Sequence, residues 1–246
     1  MEIVKVKGIV ISENNYSETS KLLNVFTKEY GIVGIIAKGA KRLKSPLRSV
    51  TTKLSYGYFQ FNYKEGKLSN LIVADVINPF NEIKKDLLKI SYASYLLELT
   101  SQVVKQSNEK QIFDLLEEAL LKIEEGFDPT VITNIIELKY LEYLGIKPEL
   151  NSCSVCGSTK ILTVSTSKGG FICMNCHTNE KIVDTKTIQI LRMLYFVDIS
   201  KISKVSISDK TKEEIDKFID EYYDRYSGLY LKSKKFLKSI KNVYIK

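Results

Sequence analysis

The sequence predicts an α+β protein: a five-stranded β-barrel over residues 1–80, then an α-helical bundle over 81–246 interrupted at about 150–180 by a cysteine-bearing hairpin. Three observations predict it. Apolar residues recur with period two up to Pro79 and with helical period after it. All four cysteines fall between Cys153 and Cys176, in two C-x2-C pairs.

The first eighty residues contain five strand candidates. "EIVKVKGIVIS" places Ile3, Val4, Val6, Ile9 and Ile11 in alternation, with Gly8 breaking the phase. "SKLLNVFTK", "GIVGIIAKG", "VTTKLSYGYFQFNYK" and "KLSNLIVADVI" follow, divided by turn residues at Asn14-Asn15, Tyr30-Gly31, Lys44-Ser45-Pro46 and Glu65-Gly66. Gly8 and Gly57, inside strand patterns, mark places where a barrel strand bends. So short a segment cannot build two well-packed separate sheets, which makes a small closed barrel of the OB type the economical reading.

The helical part opens after Pro79, with Asn78 or Asn81 as cap. Ile83, Leu87, Leu88, Tyr95, Leu96, Leu99, Val103 and Val104 share one wide apolar face of a first helix. "NEKQIFDLLEEALLKIEEG" supplies a second helix through Ile112, Leu115, Leu116, Ala119, Leu120 and Ile123. Asp128-Pro129 starts a third, as capping acid and first-turn proline, and Gly145 ends it. Thr185 or Asp184 opens "TIQILRMLYFV". Thr211 with Glu214 forms a capping-box pattern for a helix burying Ile215, Phe218, Ile219, Tyr222 and Tyr226. The last segment has six lysines and no acid from Leu229 onward, and Phe236, Leu237, Ile240, Val243 and Tyr244 form its helical stripe.

Cys153, Cys156, Cys173 and Cys176 have the spacing of a four-thiolate zinc site. Two residues between thiols let one tight turn aim both sulfurs at one ion, and two such turns complete a tetrahedron. "ILTVSTSKGGFIC" between them reads as two short strands around Gly169-Gly170, the layout of a zinc ribbon. A disulfide framework would need an oxidising compartment, and the chain opens with strand-like alternation and no secretory signal. A thioredoxin-like redox pair should not come twice, and an iron–sulfur cluster suits paired turns across a hairpin less well. Four sulfurs leave no position for an activated water, so a single structural Zn2+ is expected. His177, the one histidine, reads as a turn residue.

Charge is unevenly spread. The net +8 divides into basic ends around an acidic middle: 12 Lys/Arg against 6 Asp/Glu in residues 1–80, and 8 against 13 in residues 81–150. The densest basic stretch, "AKGAKRLKSPLRS", carries Lys38, Lys41, Arg42, Lys44 and Arg48 with no acid among them. Five cations fringing a barrel edge predict a surface for nucleic-acid phosphates. In the next strand Phe59 and Phe61 are expected in the core, and Tyr56, Tyr58 or Tyr63 are the candidates to stack on bases. No glycine loop of the phosphate-binding kind and no grouped carboxylates on the barrel suggest a catalytic centre, so a binding protein, not an enzyme, is expected. No run of 18 apolar residues occurs, so no membrane span is expected.

The opening "KGIVISENNYSETSKLLNVFTKEYGIVGIIAKGAKRLKS" resembles the start of the bacterial RecO family. The similar stretches are Gly8 through Ile11, Tyr16 through Gly31 and Ala37 through Ser45, and "YLGIKPELNSCSVCG…GGFICMNC" resembles that family's passage from helix to ribbon. The resemblance implies a DNA repair and recombination mediator with an OB fold and a zinc-bearing helical domain. Such a protein binds single- and double-stranded DNA, anneals complementary strands, and with RecR helps load RecA on DNA coated by SSB, whose C-terminal tail it engages. It further implies a cytoplasmic, nucleoid-associated location. Lys38, Lys41, Arg42 and Lys44 fall on the family's DNA-contacting stretch, and the four cysteines fall on its zinc ligands. Lys41 departs from that pattern, standing where the family has arginine, which keeps the charge and loses bidentate phosphate geometry. The rival reading is a barrel-plus-ribbon protein that binds RNA in the ribosome or the transcription machinery.

Overall fold

The computed structural model describes residues 2–244, with side chains over residues 2–241. Strands β1 (Glu2–Asn15), β2 (Lys21–Thr27) and β3 (Gly31–Ala37) form an antiparallel meander, and β4 (Tyr56–Tyr63) and β5 (Ser69–Asn78) complete a closed barrel in the order β1-β2-β3-β5-β4. This is the expected five-stranded barrel. Antiparallel β4 returns along β1 from Glu2↔Tyr63 to Ile9↔Tyr56. Closure between β3 and β5 is parallel and short, with Ile35↔Ser69 and Ile36↔Asn70 as its pairs. Alternate residues point inward, so Val4, Val6, Val25, Ile35, Phe59 and Phe61 fill the barrel.

The fourth strand is shorter than its sequence suggests. "VTTKLS" was expected to belong to it, but the chain first makes a helix, α1 (Leu47–Val50), and then a turn. The Thr51 hydroxyl donates to the Leu47 carbonyl, and Leu54 sits at φ 66 while its N–H donates to the Val10 carbonyl. These bonds satisfy backbone that a strand would have left beside solvent, so pairing starts only at Tyr56. Two bulges in β5 follow from the register: Gln60↔Val73 steps to Phe61↔Leu71, and Tyr56↔Asn78 steps to Gly57↔Val76, which leaves Ile72 and Ile77 as extra residues. Gly57 permits the second, since a Cβ there would lie 2.2 Å from the Asp75 carbonyl oxygen.

The first helix expected after the barrel is two helices, α2 (Asn81–Lys85) and α3 (Leu87–Val103). Asp86 is extended, and its carboxylate accepts from the Leu88 and Lys89 N–H groups, so it ends one helix by capping the next. Leu87 consequently stands exposed rather than on the buried face. α4 (Gln111–Glu124) buries Ile112, Phe113, Leu116, Ala119, Leu120 and Ile123 as its period dictates, with Leu115 half-buried. Its Glu124 accepts from the Glu82 and Ile83 N–H groups, covering the start of α2. The last helix, α8 (Lys232–Tyr244), packs on α3 with Leu237 buried and Phe236 exposed. The side chains of Val243 and Tyr244 lie outside the described residues.

The chain divides into two compact units, residues 1–126 with 231–246, and residues 127–230. In the first, α4 is fixed to the barrel: Phe113 meets Phe26 edge-on at 5.4 Å, Lys28 pairs with Asp114 at 2.8 Å, and Glu117 takes Lys7 at 2.8 Å together with the Tyr56 hydroxyl. In the second, α5 (Pro129–Tyr143), α6 (Thr185–Phe196) and α7 (Asp209–Tyr226) surround a two-stranded hairpin of β6 (Thr163–Ser165) and β7 (Gly170–Ile172). Asp128 and Asp184 cap α5 and α6 as the sequence implies. The cap of α7 is Ser208, which accepts from the Thr211 N–H, while Glu214 accepts from the Thr187 hydroxyl at 2.6 Å. The capping box expected at Thr211 is not formed: the helix starts three residues earlier, and Glu214 bonds to α6 instead. Ile215, Phe218, Ile219 and Tyr222 are buried, and Tyr226 is exposed. Among the described residues no helix is long and apolar enough to cross a membrane.

Burial first, and then the Glu117 bond, push the Tyr56 phenol up to about 12 from 10.0, with Lys7 opposing. A neutral phenol favoured by the fold stabilises below pH 10 and loses that contribution as pH rises through about 12. Tyr56→Phe should lower stability near neutral pH by about 2 kcal/mol, the worth of a hydrogen bond to a charged group. It should also flatten the alkaline fall in melting temperature between pH 10 and 12; urea titrations and melts across that range check both.

Candidate functional site

Two places in the structure collect the residues that the sequence singles out. The first is the crossover from β3. Backbone bonds from Ala40 to Ala37 and from Arg42 to Gly39 turn the chain immediately after the strand, with Gly39 at φ +71. Ala40 is fully buried and anchors the loop in the barrel core. Lys38, Arg42 and Lys44 are exposed and line one side of a groove of about 660 Å³, whose other wall is Ile72, Val73 and Asp75 of β5. Lys41 is turned the other way: its N–H donates to the Thr19 carbonyl, and its ammonium to the Ser17 carbonyl at 3.3 Å. Arg48 is exposed on α1 and stands outside the groove lining. The groove thus unites three of the five cations and adds an apolar wall that the sequence did not reveal. That wall depends on the bulge at Ile72, and a bulge leaves no mark in the alternation of one strand.

Phe59 and Phe61 are buried as expected. Of the three tyrosines considered for stacking, Tyr56 is buried against Glu117 and Phe80, and Tyr63 packs on Tyr30 at 4.4 Å. Tyr58 alone of them is exposed, with the Lys5 ammonium 5.5 Å from its ring centre. Lys5 also pairs with Asp75 at 3.3 Å, which draws off the carboxylate beside the groove.

The second place is the hairpin. Its four thiol sulfurs lie within 4.8 Å of one another, with Cys156 and Cys173 3.6 Å apart. A tetrahedron with metal–sulfur bonds of about 2.3 Å has sulfur–sulfur edges of about 3.8 Å, so the thiols stand close to the geometry of one four-coordinate soft cation. Cys153 and Cys173 are buried and Cys156 is exposed. Burial pushes the Cys153 thiol up, but N–H groups of Cys156, Cys173 and Val155 outweigh it and bring the thiol down to about 6. Cys176 moves the opposite way, to about 12, chiefly because Cys156 shares a hydrogen bond with it. Crowded thiols cannot all ionise unless a positive charge stands among them, and this donor set is soft.

The surrounding residues hold the hairpin in place. The Arg192 side chain donates to the Leu150 and Asn151 carbonyls at 3.1 Å and lies 5.2 Å from the Phe171 ring. Lys168 donates to the Cys176 carbonyl and pairs with Glu180, both at 2.7 Å, and that pairing holds the Glu180 carboxyl well below the usual range. His177 donates through Nε2 to the Glu180 carbonyl at 2.9 Å, which is the turn role expected of it. No sequence signal marks Arg192 as an anchor, because its acceptors are backbone carbonyls some forty residues away.

Comparison with known proteins adds a family. Profiles described as recombination protein O N terminal and recombination protein O C terminal match residues 1–80 and 84–235. Among curated relatives named DNA repair protein RecO, that of Listeria monocytogenes serotype 4b is 36% identical over 241 residues, covering 96% of this chain and 94% of its own. The Halalkalibacterium halodurans protein is 37% identical over 244 residues, covering 97% and 96%. That of Bacillus subtilis strain 168 is 36% identical over 246 residues, covering 98% and 96%.

Gly170 lies where the hairpin meets the chain that leads into it. A Cβ there would fall 2.1 Å from the Glu149 carbonyl oxygen, which also accepts from the Phe171 N–H. Gly170→Ala should destabilise residues 127–230 by at least about 2 kcal/mol, because only backbone could yield. Hydrogen exchange should show lost protection there and a largely unchanged barrel.

Proposed function

The chain belongs to the recombination protein O (RecO) family of DNA repair and recombination proteins, and we propose that it works as a recombination mediator by binding DNA through the crossover from β3 to α1. The observation that carries this reading is the groove in which Lys38, Arg42 and Lys44 face β5. Cations at this spacing on a barrel edge replace counterions along a phosphate backbone, so affinity falls steeply with salt. Arg42 supplies a planar fork for one phosphate, while Lys38 and Lys44 act as point charges. Lys41 and Arg48 extend the positive fringe on either side. The apolar wall at Ile72 and Val73, with Tyr58 exposed on the neighbouring strand, offers base faces a surface that water leaves readily.

Both single- and double-stranded DNA are ligands in this reading, because phosphate contacts carry no sequence information. Holding two complementary strands against a neutralising surface lowers their repulsion and raises their local concentration. Annealing is thereby accelerated with no bond made or broken, and the protein is not an enzyme. With RecR as partner it helps load RecA on SSB-coated DNA, engaging the SSB C-terminal tail. Its place of action is the cytoplasm, at the nucleoid.

Cys153, Cys156, Cys173 and Cys176 hold one Zn2+ in this proposal. Bound there, the ion supplies a crosslink and four closed coordination positions, so its contribution is structural. The N–H groups around Cys153 and the Arg192 tether keep the ligand turns in register for it.

The decisive experiment follows two complementary dye-labelled DNA strands, without nucleotide, at low and moderate salt. Acceleration that fades with salt is expected, and its absence with folded, zinc-loaded protein would overturn the reading. RNA bound at least as tightly as DNA, without annealing, would favour the RNA-binding alternative. Replacing Lys38, Arg42 and Lys44 together by alanine should weaken single-strand binding at least about tenfold and reduce the salt slope by about 2. Cys156→Ser should lower metal content and thermal stability, while the intrinsic affinity of the remaining folded protein for DNA stays within about threefold. A fully folded metal-free variant would refute the structural role of the ion.

A further inference from the structure

A cavity of about 600 Å³ in the first unit has no part in that account. Its walls come from β1, β2 and β3 on the barrel side and from α3 and the start of α8 on the helical side. It shares no lining residue with the groove beside the basic loop. Ile11, the residue at which the register of β1 shifts against β2, forms part of its lining.

Three cations line it, Lys53, Lys105 and Lys232, all exposed. None of the three stands within ion-pair distance of an acid among the described residues, although Lys53 is near enough to Glu98 for the two charges to attract. The one acid in the lining is Glu98, and its carboxylate is already committed. It accepts from the Lys232 N–H at 3.2 Å, from the Ser233 N–H at 2.7 Å and from the Ser233 hydroxyl. Burial would raise the Glu98 carboxyl, but these bonds prevail and keep it below its ordinary value, ionised and holding α8 in place. The polar lining is otherwise rich in donors. Ser94 and Ser101 present hydroxyls from α3, and Asn24 donates to the Ser12 oxygen at 2.8 Å, which leaves the Ser12 hydroxyl proton free to turn outward.

A cavity with three ammonium groups, several hydroxyl donors and one carboxylate engaged by the start of α8 suits a ligand rich in acceptors and negative charge. A phosphate group has that chemistry, and its oxygens take charge-assisted bonds from lysine at short range. We propose that this cavity is a second anion site, taking the phosphodiester backbone of a nucleic-acid strand other than the one held at the basic loop. The phosphate class follows from the lining alone; its assignment to a second DNA strand rests on the function proposed above. Two separate phosphate sites on one unit give the strands of an annealing reaction a place each, so that the second strand need not displace the first.

The test uses the full-length, metal-loaded chain and the double variant Lys53→Gln with Lys105→Gln. Both side chains are exposed and neither substitution touches the backbone N–H of Lys53, which donates to Glu13. Circular dichroism should show an unchanged fold. In the first arm, inorganic pyrophosphate at constant ionic strength should raise the melting temperature of the parent protein, and this shift should be lost in the variant. Equal shifts in the two proteins, or none in the parent, would overturn the site whatever the protein does with DNA. In the second arm, annealing by the variant should slow about tenfold while its affinity for one labelled oligo-dT strand falls less than about threefold, since each cation lost from a single-strand contact changes the salt slope by only about 0.7. Loss of pyrophosphate binding with unchanged annealing would leave a phosphate site and remove the second strand from it. Equal losses in annealing and single-strand affinity would mean one continuous surface and would also refute the two-site arrangement.

Discussion

The parallel pairing of β3 with β5 is the constraint on which the first unit depends. Parallel neighbours cannot be joined by a hairpin, so the chain leaving Ala37 must cross the end of the barrel before it returns as β5. That crossover holds the basic loop, α1 and the whole of β4. It also explains why one side of the loop faces β5, while Lys41 on its other side reaches the turn that leads into β2. Since the pairing is only two residues long, β5 beyond Asn70 runs with β4 alone, and its outer edge meets the crossover across a groove. Closure of the barrel and formation of the basic groove are therefore one event.

The barrel in turn relies on the helices next to it. β4 contributes Phe59 and Phe61 to the barrel interior, but Tyr56 reaches Glu117 on α4, and Phe80 follows at the junction in a left-handed conformation with its ring fully buried. A bulky residue at positive φ persists only where packing over-determines it. Here the near-parallel ring of Tyr56, 5.9 Å away, and the bond from the Phe80 N–H to Asn78 supply that packing. The start of the helical segment is consequently set by the barrel.

In the second unit the hairpin plays the comparable part. Two short strands of three residues cannot stand alone in water, and their stability has to come from outside the ladder. Arg192 from α6, the Glu149 bridge to Gly170 and the Tyr226 hydroxyl on the Thr166 carbonyl each hold one side of it. The Ser154 N–H donates to the Phe171 carbonyl and Lys168 to the Cys176 carbonyl, so both C-x2-C turns are tied to the hairpin and the four sulfurs converge.

Much of this protein was legible in its sequence, where the rule at work is local. Alternation gave the five strands, since a half-buried strand needs period two whatever its partners. Cysteine spacing foretold the convergence of four sulfurs, because two residues between thiols fix a turn by themselves. Asp128 and Asp184 announced their helices as caps, and Gly145 ended one through its left-handed backbone. Tertiary structure decided what depends on partners far away in the chain. It turned "VTTKLS" from strand into helix and turn through bonds to Val10, and it placed the cap of α7 at Ser208 with Glu214 bonded to Thr187 on α6. It buried Tyr56 against a carboxylate sixty-one residues away, which leaves Tyr58 as the exposed ring. It also set apart Lys38, Arg42 and Lys44 from their neighbour Lys41, for the side on which a loop cation stands depends on which carbonyls the folded chain brings within its reach.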